Sequence, residues 1–289
     1  MVSSVNTNIN ALAAVHALSD ISNSMTMTQA HIQSGLKVSQ SSDNPAVFTI
    51  AQGLRANIGA LSAVSDSLQT GVATVQGASA GAVAISNALK TLVQTVTQAQ
   101  GQTGDALAAS QTTVANALKN IDAYAAASTV NGVNLLNGTA ASAGPPVVPA
   151  APTAGSSLDV LSSVAGDSTT IATATASNSA GLGFTGGTLS LGTGSAADIK
   201  TAITAVNLAI KNIGINMTAL GAGTVQLQGL ADFTSKLSTS VTTGLGAMVD
   251  ANLSEESAKL SSLQTKQSLA IQSLSIANQG PGALLQLFR

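Results

Sequence analysis

The chain contains no cysteine and no tryptophan, and only one tyrosine and four phenylalanines among its 289 residues. Without cysteine, disulfides and thiolate metal sites are excluded. Aromatics amount to 2% while hydrophobic residues reach 45%, so the apolar content is mainly Ala, Val, Leu and Ile. Small aliphatic side chains let backbones approach closely, which suits packed helices better than a thick globular core. Charge is scarce as well. Asp, Glu, Lys and Arg make up 8%, against about 25% in ordinary globular proteins. A chain so poor in charge is predicted to cover its apolar faces by assembly.

Other absences narrow the function. The net charge is −2 and the ten Lys and Arg residues are spread along the chain. With no basic patch, nucleic acid is not an expected partner. No apolar run reaches the length of about 18 residues that a membrane helix needs, so no membrane span is expected. The N-terminus has no charged start followed by an apolar stretch, so no cleaved signal peptide is expected.

What is present is a long-range rhythm. Alternating steps of four and three from Leu54 to Val96 fall on apolar residues, except at Ser65, Ser79 and Ser86. Such a sustained heptad pattern predicts a coiled-coil seam. The helix would run about 64 Å at 1.5 Å per residue, too long for a compact globule, so a rod is predicted. Asp43 or Asn44 ahead of Pro45 forms its start. A second seam from Ile199 to Met248 steps likewise and is apolar except at Thr224, Thr234 and Ser238. Gly214, Gly221, Gly223 and Gly229 weaken its middle, where a bend or break is expected. A third helix is predicted from Asp105 to Ala127, with Leu107, Val114, Leu118, Ile121 and Ala125 on one face. Three matching stripes imply an antiparallel bundle. Asn131-Gly132 between Val130 and Val133 predicts a tight hairpin, and Asn137-Gly138 a second turn.

Both ends are predicted to be helical. Leu18, Ile21, Met25, Thr28 and Ile32 form one stripe. Leu260, Leu263, Gln267, Ala270, Leu274 and Ala277 form the other. A lone amphipathic helix is marginal in water, so these ends should pair with each other and with other copies. The middle, about 139–195, differs in kind. Its Pro-rich run 144–152 reads as an extended linker. Residues 169–175 and 187–191 alternate like half-buried strands, enough for a small β-rich insert, removable without loss of assembly.

No catalytic constellation stands out. His16 and His31 lie on a terminal helix with Asp20 as the nearby carboxylate, whereas a zinc site needs three or four converging ligands. Packing or surface roles are the expectation. Asp250, Glu255 and Glu256 cluster where the last helix starts, a place that favours carboxylates electrostatically. The Gly53–Gly59 and Gly214–Gly223 stretches lack the flanking strand of a nucleotide-binding fingerprint.

Specific segments point to a family. The chain opens Val5-Asn6-Thr7-Asn8-Ile9-Asn10-Ala11-Leu12 and closes Gly282-Ala283-Leu284-Leu285-Gln286-Leu287-Phe288-Arg289. Between them stand Ser34-Gly35-Leu36-Lys37-Val38, Thr129-Val130-Asn131-Gly132-Val133-Asn134-Leu135-Leu136 and Leu220-Gly221-Ala222. These runs resemble bacterial flagellin, over 1–138 and 196–289, around an unmatched middle. The resemblance implies a mainly α fold. It comprises an inner terminal-helix domain (1–42 and 250–289), a helical rod with hairpin (43–138 and 196–249) and an outer β-rich or loop insert (139–195).

By the same resemblance the function is structural: self-assembly into the extracellular flagellar filament for swimming, without catalysis, cofactor or metal. Inner-domain contacts would come from Val5, Ile9, Leu12, Leu18, Ile21, Met25, Ile32, Leu260, Leu263, Leu274, Leu284, Leu285, Leu287 and Phe288. The implied partners are further copies of the chain, the flagellar export apparatus and its chaperone, and hook-associated and cap proteins. Ser and Thr in the insert offer hydroxyls for glycans. Lys90, Thr91, Val93 and Gln94 occupy the segment where many flagellins carry the Arg and Glu residues gripped by a vertebrate innate-immune receptor. Thr or Val cannot replace a guanidinium fork. The alternatives are a hook–filament junction protein and, in a different class, a secreted coiled-coil translocator or pore-forming protein. The latter would need a long apolar hairpin.

Overall fold

The computed structural model describes residues 8–137, 141–142, 156–184 and 187–287. Five helices dominate: α1 (Ile9–Ser34), α2 (Pro45–Gln98), α3 (Gly104–Ala127), α4 (Ala196–Val249) and α5 (Leu253–Leu287). A hairpin of β1 (Thr129–Val130) and β2 (Val133–Asn134) follows α3, and β3 (Ala141–Ser142), β4 (Ser157–Leu161) and β5 (Ser168–Ala172) form a small sheet. The mainly α expectation stands. The expected turn at Gly138, the Pro-rich run, Val5 and Phe288 lie outside the described residues, as do the side chains of Leu284, Leu285 and Leu287.

The chain forms two compact units, one of residues 1–58 with 239–289 and the other of residues 59–238. In the second unit, α2 buries Leu61, Val64, Leu68, Gly71, Val75, Ala78, Ala82, Ile85, Leu89, Leu92 and Val96, and Ala99 just past its end is buried too. The steps are three then four. One row of the sequence-derived seam, every seventh residue from Leu61 to Val96, is therefore the core row. The other row moves by one position, from Ser65, Ser79 and Ser86 to Val64, Ala78 and Ile85, because the apolar neighbours go inside and the serines are left half-buried. The same shift occurs in α4. Ile199, Val206, Ile213, Leu220, Leu227 and Thr234 are buried as expected, while the second row is Ala202, Ala209, Asn216 and Gly223. The expected break in α4 is absent; it runs unbroken through Gly214, Gly221, Gly223 and Gly229.

Local rules account for the ends of these helices. The Asn44 side chain accepts the Val47 N–H at 3.1 Å, a cap just ahead of Pro45. Before α4, the Ser195 hydroxyl accepts the Asp198 N–H at 3.2 Å, and Asp198 accepts the Thr193 hydroxyl at 2.6 Å. That hydroxyl, then the Thr193 N–H and Ser195, hold the Asp198 carboxyl below its usual range. In the hairpin, Asn131 and Gly132 have φ of 51° and 80°, the paired positive values of a type I′ turn, and Val130 faces Val133.

The described residues of the middle segment belong to the second unit. Leu158, Val160, Ile171, Leu182, Phe184, Leu189 and Leu191 share the core of α2, α3 and α4. In β4, the buried Leu158 and Val160 alternate with half-buried neighbours. A Cβ on Gly71 would lie 2.7 Å from Val160 Cγ2, and one on Gly223 2.6 Å from Ile171 Cγ2. Two helical glycines thus seat the sheet. Asn216, fully buried on α4, accepts the Ala174 and Thr175 N–H groups and donates to the Thr175 carbonyl at 2.7 Å and the Ser177 hydroxyl at 2.9 Å. Asp122 of α3 accepts the Ser179 N–H at 2.7 Å and its hydroxyl at 2.9 Å. Clean removal of the whole middle would strip these partners, so the sequence-based expectation of a dispensable insert meets a structural obstacle. The expected strand at 187–191 does not form. Leu189 and Leu191 are buried in alternation, yet their backbone partner is a side chain: Gln111 donates to the Leu189 carbonyl at 2.7 Å and accepts the Leu191 N–H at 2.8 Å.

Candidate assembly surface

In the first unit, α1 and α5 pack along the two stripes read from the sequence. Leu18, Ile21, Met25 and Ile32 on α1 are half-buried and Thr28 is fully buried; on α5, Leu260, Gln267, Ala270, Leu274 and Ala277 are half-buried and Leu263 is buried. Asn8 joins the pair twice over. Its carbonyl side chain accepts the Ala11 N–H at 3.0 Å, and its amide donates to the Ala277 carbonyl at 2.8 Å. At the other end of α1, Gly35 takes a left-handed φ of 69° and its N–H caps the His31 carbonyl at 2.9 Å. The chain then runs beside the end of α4: Lys37 N–H donates to the Val249 carbonyl at 2.6 Å, and Ala251 N–H to the Gly35 carbonyl at 2.9 Å. A small cluster of Val38, Ala51 and Val249 with Leu36, Val47, Phe48, Leu245 and Met248 fills this corner.

A two-helix pair has too little interior to bury its remaining apolar residues. Ile9 is 70% exposed and Leu12 55%, so two of the expected contact residues face away from the α1–α5 seam. Val15, Met27, Leu253, Leu269, Ile271 and Ile276 are exposed as well. Sequence reasoning passed over these six because it followed only the stripe with helical period; their signal was the presence of further large apolar residues off that stripe. Exposed apolar surface on this scale marks an interaction face.

The polar candidates separate. His31 Nδ1 lies 3.5 Å from Glu256 Oε1, and Glu256 Oε2 lies 3.9 Å from Lys259 Nζ. This pairing joins opposite ends of the sequence, so spacing could not reveal it. Glu255 and Glu256 sit in the first turn of α5, where a helix N-terminus favours carboxylates. Among the described residues no group of three or more His, Asp or Glu side chains could hold a metal. In the second unit, Lys90, Thr91 and Gln94 are exposed on α2, whereas Val93 is half-buried against the core. By length and composition α2 is the one described helix apolar enough to cross a membrane; its buried rows lie in the core, while Ile50 and Val83 are exposed.

Comparison with known proteins agrees with this architecture. Residues 5–141 match the bacterial flagellin N-terminal helical region and residues 203–288 the bacterial flagellin C-terminal helical region. Flagellin FljM of Caulobacter vibrioides is 34% identical over 100% of this chain and 99% of its own length. Flagellin FljK of the same organism is also 34% identical, with the same coverage. The flagellin of Brucella melitensis is 30% identical over the whole of both chains. The helical stripes at the two ends, the paired terminal helices and these matches along the full length place this chain in the bacterial flagellin family.

Proposed function

We propose that this chain is the structural subunit of the bacterial flagellar filament, and that the first unit supplies the contacts that build it. The observation that carries the second statement is the exposed apolar set on the α1–α5 pair, above all Ile9, Leu12, Leu269 and Ile276. A single copy cannot cover it; identical neighbours in an open, head-to-tail array can, because such contacts repeat without closing. The contact set is Val5, Ile9, Leu12, Leu18, Ile21, Met25, Ile32, Leu260, Leu263, Leu274, Leu284, Leu285, Leu287 and Phe288, in which Leu18 to Leu274 hold the pair together and the rest reach neighbours. The terminal helices form the inner layer of the filament, and residues 139–195 lie on the outer side of the subunit.

The further partners are the export apparatus with its chaperone and the hook-associated and cap proteins, with export to the cell exterior without signal cleavage. The protein acts mechanically and catalyses nothing. The test is seeded growth followed by sedimentation. Removing residues 1–30 or 260–289 leaves the second unit helical by circular dichroism and abolishes growth. Leu285→Asp, alone or with Leu287→Asp, does the same more gently. Burial of one Leu stabilises by about 1.5–3 kcal/mol, and a carboxylate in its place adds desolvation or repulsion between neighbours, so the threshold concentration rises by roughly two orders of magnitude or more at 1.4 kcal/mol per tenfold. Normal filaments from either truncated chain refute the reading, and intact protein that never forms long filaments alone points instead to the junction protein.

A further inference from the structure

We propose that His31 is a proton-operated latch between the two chain ends: its charged ring ties α1 to α5 through Glu256. The consequence for growth rests on the filament reading above; the latch itself does not.

The latch is built from groups otherwise out of place. Thr28 Oγ1, His31 Nδ1 and Glu256 Oε2 are buried and have no hydrogen-bond partner among the described residues. The side chains of His31 and Glu256 are only 12% and 14% exposed. A buried polar atom without a partner is costly. At 3.5 Å, Nδ1 and Oε1 are within ion-pair reach but short of a good hydrogen bond. A small rotation closes that gap, and the gain is greatest when the ring is charged, since charge-assisted hydrogen bonds are roughly twice as strong as neutral ones.

The charges near the ring are two carboxylates and one ammonium group. From α5 come Glu256 and, on its far oxygen, Lys259. From the segment between α1 and α2 comes Asp43, whose Oδ2 accepts the Ser39 N–H at 2.9 Å and the Gln40 N–H at 3.0 Å. These bonds, then the Ser39 hydroxyl and the nearby His31 charge, hold the Asp43 carboxyl below its usual range. Asp43 therefore stays ionised where an imidazole gains its proton, between about pH 5 and 8. A charged ring pairs with the Glu256 carboxylate and lies near enough to Asp43 for the two charges to attract. The tie is made on the acid side and lost as the pH rises.

The experiment measures amide hydrogen exchange in residues 25–34 and 253–263 of the full chain, corrected for intrinsic rates, at about pH 5.5 and about pH 8, either side of the imidazole range. Protection falls about fivefold on going to the higher pH, which is about 1 kcal/mol at 1.4 kcal/mol per tenfold. His31→Gln and Glu256→Gln lose this pH response, His16→Gln keeps it, and His31→Arg stays protected at the higher pH. The growth threshold of seeded filaments follows the same order. A wild-type response that survives in His31→Gln overturns the latch, and so do wild-type ends that exchange alike at both pH values. If His31→Gln unpairs the helices at both, His31→Arg decides: loss of protection with rising pH in that variant overturns the latch. Absence of filaments at every pH counts against the filament reading and leaves the exchange result standing.

Discussion

Two glycines two residues apart on α4 should answer to alanine with opposite signs. Gly221 is exposed and a Cβ there meets nothing within 4 Å. Alanine is favoured over glycine inside a helix by about 0.8–1.0 kcal/mol, so Gly221→Ala stabilises by about that amount. At Gly223 the same gain is available, but the new methyl would stand 2.6 Å from Ile171 Cγ2 and 3.1 Å from its Cδ1. Carbon atoms are comfortable at about 3.5–4.0 Å. Ile171 cannot simply turn away, because a β-branched side chain is stiff at χ1. Nor can its strand slide, since β5 is paired along its length with β4, and Val160 of β4 is seated on Gly71. Overpacking of this kind costs about 1–3 kcal/mol. After subtracting the propensity gain, Gly223→Ala is neutral to destabilising by about 2 kcal/mol. The assay is urea unfolding of the full chain followed by far-ultraviolet circular dichroism, with midpoints compared at constant slope. Ile171→Ala should cost less in the Gly223→Ala background than in the wild type, a coupling of about 1 kcal/mol. Equal stabilisation by both alanines would mean that the middle segment is not docked on α4 at all.

Asn216→Ala leaves the backbone groups of 174–175 without their buried partner and destabilises by about 1–3 kcal/mol, read from the same urea curves. Asp198→Asn acts through acid stability. Because the folded carboxyl is held below its usual range, its contribution is present above the unfolded value and lost as the pH falls through the folded one. Wild-type midpoints therefore drop through that acid interval more steeply than those of the variant. In reporter cells carrying the innate-immune receptor, monomer of this protein is far less potent than a flagellin with the Arg and Glu residues that Lys90, Thr91, Val93 and Gln94 replace; equal dose curves would refute this.

Helices and their pairing were legible because periodicity is a local property of the sequence. The terminal stripes from Leu18 to Ile32 and from Leu260 to Ala277 are the faces that meet. The long seams were legible by half: the row through Leu61 and Leu68 was evident, while its companion was misplaced by one residue. Steps of three-four and four-three share every seventh position, and only the buried Val64 and Ile85 against the half-buried Ser65 and Ser86 separate them. The β4 strand went unread because a five-residue alternation beside a Pro- and Ser-rich stretch carries little signal. At 187–191 the alternation was real, but a strand requires a partner, and here the partner is the amide of Gln111. Least legible were contacts between distant positions, such as His31 with Glu256 or Gly223 with Ile171, since nothing in either neighbourhood names the other.

The Gln111 amide also bears on what a crowd of identical copies can do. Around Leu189 and Leu191 it occupies a carbonyl and an N–H that an extended segment would otherwise offer to any passing strand. Unsatisfied strand edges act as templates for pairing with another chain, and stacked copies of such edges lead to amyloid. With those two groups already engaged, they are closed to backbone pairing with another copy. Cross-β stacking needs a free backbone, and at these two positions the folded chain offers none.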